Sequence, residues 1–310
     1  MPNVVTGKYA LALRRYDGIR GLLSQYRVSH LVGAAIRELW EAAGMWILHF
    51  CKLNPVARYG WLEALLSPTA DYWLRYNAVI EALRKAEANV PGTIVEVSSG
   101  GWGGLAWALP RRERDICLID WSPSLLADRR GIRALRVCAN GSQLPFADNS
   151  FNTAISLDTL EHLPVPARAS FLEELKRIAK NNVIVTCPLQ SDDGMFTARD
   201  LDLRLAEQIL AKQRKLPGWL DEHLRQQHPQ KDEIEALLPG TQVTGFENSN
   251  HWYSFAVLAQ RRFSWLPAAQ LYASSAPNES TKPPFRRGLF VWNKPVPVVD
   301  GQSTNQQTEI

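Results

Sequence analysis

Residues 96–106, EVSSGGWGGLA, place four glycines in five positions directly after an apolar run, and the next apolar run ends in the carboxylate Asp120. Glycines lack a Cβ, so a turn made of them lets backbone N–H groups approach a polar ligand at the start of a helix. A carboxylate about 20 residues further on is placed to accept hydrogen bonds from both hydroxyls of a ribose. Together they describe a nucleotide-type cofactor site. Two readings meet this pattern. GWGGLA, from Gly101 to Ala106, formally matches G-x-G-x-x-A, the dinucleotide fingerprint of NAD(P)-dependent oxidoreductases, and Asp120 serves that reading as well. The glycines come late relative to the end of the apolar run, which favours a different nucleoside cofactor.

The elements that position these residues follow from hydrophobic periodicity. TIVEV, DICLID, RALRVC, TAISLD and NVIVTC are short runs rich in Ile and Val, separated by loop or helical segments. Buried strands alternating with helices predict an α/β fold, a Rossmann-like and mostly parallel sheet with helices on both faces. FLEELKRIAKN reads as an amphipathic helix between the last two of these strands. TQVTGF and, much later, RGLFVW return as strands. In such a sheet ligands bind beyond the carboxyl ends of the strands where strand order reverses, and the glycine turn and Asp120 both follow apolar runs. Residues 1–90 read as helices only, and Pro91-Gly92 ends the last of them, so they are expected to form an amino-terminal helical cap. Residues 91–294 then form the sheet domain, with a helical insert at about 191–240, and the polar stretch 295–310 reads as a disordered tail.

Composition excludes several functions. The net charge of +4 over 310 residues is small and its basic residues are scattered, so there is no nucleic-acid footprint. Cys51, Cys117, Cys138 and Cys187 form no CxxC, and two fall in expected core strands, which fits reduced thiols in a cytoplasmic protein and no metal site. Residues 1–30 carry charge throughout and lack a signal-peptide core. The apolar segment containing Trp40 and Trp46 is interrupted by Glu41, His49 and Lys52, so no integral membrane segment is expected. Those tryptophans with Trp61 leave peripheral membrane contact open.

The run LPFADNSFNTAISLDTLEHLP, with IVEVSSGG, LIDWSPSLL and FLEELKRIAKNNVIVTCP, resembles the motifs of class I S-adenosylmethionine-dependent methyltransferases, over about residues 93–190. The resemblance implies a seven-stranded sheet with an antiparallel last strand and S-adenosyl-L-methionine as cofactor; the expectation of a small-molecule acceptor rests on the helical insert. The resemblance also implies that Glu96 lies near the methionine ammonium, that Ser98, Ser99, Gly100 and Gly101 form the turn around the amino-acid part, and that Asp120 grips the ribose. Trp121 would lie against adenine, Asn140 opposite the adenine amino group, Gly141 would supply a backbone contact there, and Leu157 and Asp158 would border the transfer site.

Two departures stand out. Ser98 replaces the first glycine of the family motif, with Trp102 or Gly103 at the third, and Asn140 stands where an aspartate is usual. An amide oxygen still accepts a hydrogen bond from the adenine amino group. The departures at Ser98 and Trp102 also motivate a catalytically inactive binding or scaffold protein on the same fold. A sulfonium methyl is already an activated electrophile, and an oxygen acceptor needs only a base in addition. Asp158 and His162 in LDTLEHLP are the candidates, followed by His223, His228 and His251. Glu161 and His162 recur in motifs of this type, which suits a supporting role. The insert, with its charges, histidines and Trp219, suits a polar acceptor such as a sugar or glycosylated metabolite.

Overall fold

The computed structural model describes residues 70–87, 92–100, 104–109, 115–126, 134–211, 215–259 and 281–295. Most of the expected cap, Gly101 and Trp102 of the glycine turn, and nearly all of the expected tail lie outside the described residues.

Seven strands form one sheet in the order β3-β2-β1-β4-β5-β7-β6. They are β1 (Ile94–Val97), β2 (Ile116–Asp120), β3 (Leu135–Cys138), β4 (Phe151–Leu157), β5 (Ala179–Pro188), β6 (Gln242–Asn248) and β7 (Phe285–Asn293). The pairs β1–β2, β1–β4, β2–β3 and β4–β5 are parallel, whereas β7 runs antiparallel to both β5 and β6. This is the Rossmann-like sheet that the alternation of apolar runs predicts, with the antiparallel last strand that the resemblance implies. β1 and β2 are buried at every position because neighbours cover both edges and both faces, while β3 at the edge is half exposed. The chain steps outward from β1 through β2 to β3, then crosses back to β4. The reversal therefore falls between β1 and β4, which opens the ligand crevice there.

Helix α1 (Ala70–Ala86) places Tyr76, Val79, Ile80 and Leu83 on one stripe, and Arg84 and Lys85 in its last turn complement the helix dipole. With α2 (Gly104–Ala108) it covers one face of the sheet, where Leu105, Leu118, Ile155 and Leu289 join the same core. A short α3 (Pro123–Leu126) follows β2. The other face is covered by α4 (Val165–Ile178), which buries Phe171, Leu172, Leu175 and Ile178 against Val95, Val183 and Val185.

Between β5 and β6 lie α5 (Ala198–Leu210), α6 (Gly218–Arg225) and α7 (Lys231–Leu237). A helix the sequence pattern does not announce, α8 (Ser249–Ala259), follows β6 and carries His251. Leu201, Leu205, Ile209, Leu220, Trp252 and Ala256 close a third core among α5, α6 and α8. The buried Arg168 ties α4 to this layer, donating from Nε to the Leu160 carbonyl at 3.0 Å, from Nη1 to Glu233 Oε2 at 2.9 Å, and to the Gln227 carbonyl. Among the described residues no helix is long and apolar enough to cross a membrane. Cys117 and Cys187 are buried free thiols, and burial pushes the Cys117 thiol up to about 11.

Candidate active site

The turn after β1 is strained at its first residue. Ser98 has φ +64 and Gly100 φ +66, both in the left-handed region. Gly100 occupies it freely, whereas the Cβ of Ser98 meets the steric penalty that explains a glycine at this point of such a motif. Asp120, buried at the end of β2, holds the turn: Gly100 N donates to its Oδ2 at 3.0 Å and Ser122 N to its Oδ1 at 2.9 Å. Each carboxylate oxygen can accept more than one hydrogen bond, so capacity remains for a diol. Beyond the strand ends, Trp121, Cys138, Ala139 and Asn140 line a cleft of about 490 Å³. Trp121 is 76% exposed, a flat apolar surface at the cleft mouth.

Asn140 is folded onto its own turn, its Oδ1 accepting from Ser142 N at 3.0 Å. Gly141 is there for space, because a Cβ would meet Phe171 Cε2 at 2.5 Å. Glu96 is fully buried, and its oxygens accept from the Tyr76 hydroxyl at 3.0 Å and from Leu105 N at 3.3 Å. Burial raises its pKa to about 7 against the opposing effect of those two hydrogen bonds. The carboxyl thus pins α1 and α2 to β1, and a ligand would share it with them. Ser99 is buried with its hydroxyl unpartnered.

The acceptor side grows from the end of β4. Asp158, following the buried Leu157, has φ +46, and its N–H donates to the Thr186 carbonyl of β5 at 2.8 Å. Its carboxylate is claimed by two guanidiniums: Arg75 Nη1 of α1 lies at 2.6 Å, and Arg287 of β7 donates from Nε at 3.0 Å. Arg287 also pairs with the buried Glu247, which has φ +62.

A 3-10 turn, Leu160–His162, then turns Glu161 inward and leaves His162 a third exposed. Glu161 Oε1 lies 3.9 Å from His162 Nε2 and 4.0 Å from His223 Nε2 of α6. His162 Nδ1 in turn lies 3.1 Å from Glu222 Oε2. Burial, then the Asp158 charge, push the Glu161 carboxyl well up. His162 is pushed down by burial, against the pull of Glu222 and Asp158, and His223 by burial against Asp202.

Behind His223 sits Asp202 of α5, whose Oδ2 lies 2.7 Å from His223 Nδ1 and 3.1 Å from His228 Nε2. Burial alone would raise the Asp202 pKa, but those hydrogen bonds and the Arg286 charge outweigh it and hold the carboxyl below its usual range. Arg286, buried beside Arg287, lies 3.8 Å over the Trp252 ring and 3.9 Å from Asp202 Oδ1. His251 belongs to α8, and its backbone N–H is bonded by Asn248 Oδ1 at 3.0 Å.

Arg75, Asp202, Glu247, Arg286 and Arg287 were not among the candidates read from sequence. Two signals were present. Asp202 stands on the apolar stripe of α5, among Ala198, Leu201, Leu205 and Ile209, and two adjacent arginines open the otherwise apolar strand FRRGLFVW.

Residues 95–187 match the family model described as a methyltransferase domain. No curated protein matches the chain. Magnesium protoporphyrin IX methyltransferase from Synechocystis is 14% identical, the match covering 84% of this chain and 99% of that one, with a TM-score of 0.44. A methyltransferase from Thermotoga maritima is 17% identical over 72% of this chain and 91% of that one, TM-score 0.44. Geranyl diphosphate C-methyltransferase from Streptomyces coelicolor is 12% identical over 70% and 77%, also with a TM-score of 0.44. The family match spans β1 to β5, with the glycine turn, Asp120, Asn140 and the β4 turn inside it. That segment matches a methyltransferase domain, and the dinucleotide reading of GWGGLA gives way to it.

Proposed function

We propose that the protein transfers the methyl group of S-adenosyl-L-methionine to a small polar acceptor. The observation that carries this reading is the Asp120 junction. One buried carboxylate gathers the turn after β1 and stands beside the Trp121–Asn140 cleft, within the segment that matches a methyltransferase domain. Asp120 takes the ribose hydroxyls, Trp121 lies along the adenine, and the Asn140 amide oxygen accepts from the adenine amino group once released from Ser142. Ser98, Ser99 and Gly100 border the amino-acid part, with Glu96 behind them and Leu157 beside the methionine.

In-line transfer needs an acceptor atom held about 3 Å from the methyl carbon, with water excluded. The groups gathered near the end of β4 are polar and charged, with Arg75 and Asp158 paired beside Glu161, His162 and Glu222, which supports a polar acceptor. Asp158 is held between two guanidiniums, those of Arg75 and Arg287. Its role is to position Arg75 and Arg287. The neutral imidazole of His162 is the better group to take a proton from a hydroxyl acceptor.

Mass spectrometry of the purified protein for co-bound S-adenosylhomocysteine, with calorimetry against S-adenosylmethionine and NAD, tests the reading. Binding of the methyl donor in the micromolar range and none of NAD is expected. Tight NAD binding without methyl-donor binding would overturn it.

A further inference from the structure

We propose that Glu161, His162 and His223 form a binding site for a divalent first-row transition-metal cation. The three ligand atoms converge from two segments, the 3-10 turn after β4 and helix α6, and lie within 4.8 Å of one another. An ion bonded at about 2.1 Å to each of two atoms spans at most about 4.2 Å between them. The Glu161–His162 and Glu161–His223 separations, 3.9 and 4.0 Å, fall inside that limit. The remaining gap closes by rotation of the partly exposed His162 ring.

Three further features favour a cation over a set of hydrogen bonds. Glu161 is 1% exposed and, among the described residues, its Oε2 has no hydrogen-bond partner, so this buried carboxyl has acceptor capacity that a cation bound through the carboxylate can use. Its neighbours within ion-pair distance, among the described residues, are the two imidazoles. The guanidiniums of Arg75, Arg286 and Arg287 are directed instead to Asp158, Asp202 and Glu247. Among the described residues no guanidinium lies within ion-pair distance of Glu161.

His223 is also oriented as a ligand. With Nδ1–H donating to Asp202 Oδ2 at 2.7 Å, its lone pair sits on Nε2 and faces Glu161. A carboxylate behind the imidazole in this way fixes tautomer and ring orientation at metal sites. The neighbouring triad of Asp202, His223 and His228 does not compete, because Asp202 Oδ2 is already bonded to both rings. Two imidazoles and one carboxylate leave coordination positions open, and imidazole suits zinc, iron and nickel. A cation there occupies His162 Nε2, so the base role given to His162 belongs to the cation-free protein.

Full-length protein stripped by chelation is titrated with Zn²⁺ and, separately, Mn²⁺, without methyl donor or acceptor. One equivalent per chain is expected to bind, at least about tenfold weaker in E161Q and H223N and unchanged in H251N. Electron paramagnetic resonance of the Mn²⁺-loaded wild type should show nitrogen couplings from imidazole, which decides the matter if a variant fails to fold. Absence of stoichiometric binding of either ion, or binding to the wild type without nitrogen coupling and with equal affinity in E161Q, would overturn the site. Either result leaves methyl-donor binding to be judged by its own measurement.

Discussion

Asp158 and Arg287, 129 residues apart in the chain, meet with Arg287 Nε at 3.0 Å and Nη2 at 2.9 Å from Asp158 Oδ2, so the end of β4 is locked to the start of β7 across the end of β5. The same guanidinium pairs with Glu247 at the end of β6, and both acids adopt positive φ to present their carboxylates. Left-handed backbone in non-glycine residues persists where the surroundings over-determine it, and two such residues converging on one cation mark a preorganised corner of the site.

Arg287→Ala therefore removes the cation shared by Asp158 and the buried Glu247. Leaving a buried charge without its partner costs about 3–5 kcal/mol. Urea unfolding should show a loss of that order, and a loss under 1 kcal/mol would mean that Arg75 and Arg286 suffice to neutralise both acids.

Asp120→Ala deletes the acceptor of Gly100 N and Ser122 N together with the proposed ribose contact. S-adenosylmethionine binding should weaken by about 2 kcal/mol or more, roughly thirtyfold. Calorimetry reads this directly, and unchanged affinity would remove Asp120 from the cofactor site.

Ser98→Gly relieves a left-handed conformation that costs a residue with a Cβ about 1–2 kcal/mol, offset in part by the extra freedom of glycine in the unfolded chain. The net expectation is a stabilisation of up to about 1 kcal/mol, with methyl-donor affinity equal to or better than that of the wild type. Weaker binding would show that the Ser98 hydroxyl itself contacts the ligand.

Gly141→Ala drives a Cβ to 2.5 Å from the buried ring of Phe171. Overpacking of this kind costs about 1–3 kcal/mol. Thermal unfolding should show it, and Phe171→Leu in the same chain should restore part of the loss.

Glu96 gives the stability a pH dependence of known sign. Its carboxyl titrates at about 7 when folded against an ordinary 4.5, because burial penalises the charge. Between those values the folded state holds a proton that the unfolded state releases. The contribution is fully present below about 4.5 and is lost as pH rises to about 7, by on the order of 3 kcal/mol at most. Denaturant midpoints measured from pH 4.5 to 8 should fall through this window more steeply in the wild type than in Glu96→Gln. Parallel profiles would show that Glu96 ionises freely.

What the amino-acid order determined alone is local. Short Ile/Val-rich runs can bury both faces only as central strands, a glycine-rich turn following one of them can only present backbone, and a carboxylate ending the next run must lie beside it in a parallel sheet. Those constraints yielded the sheet and the place of Asp120 beside the turn, whereas Trp121 and Asn140 were named through the resemblance to methyltransferase motifs. Helix α8 escaped notice because SNHWYSFAVLA has too weak a one-sided pattern to announce a helix. The acceptor side was decided by tertiary structure. His162 and His223 could be named as titratable groups, but their convergence on Glu161 depends on how α6 docks over the β4 turn. The pairing of Arg75, Arg287, Asp158 and Glu247 depends on β7 entering antiparallel between β5 and β6. Charge pairs of this kind join segments dozens to more than a hundred residues apart, and their strength comes from burial, which strand order and helix docking create and no local spacing encodes.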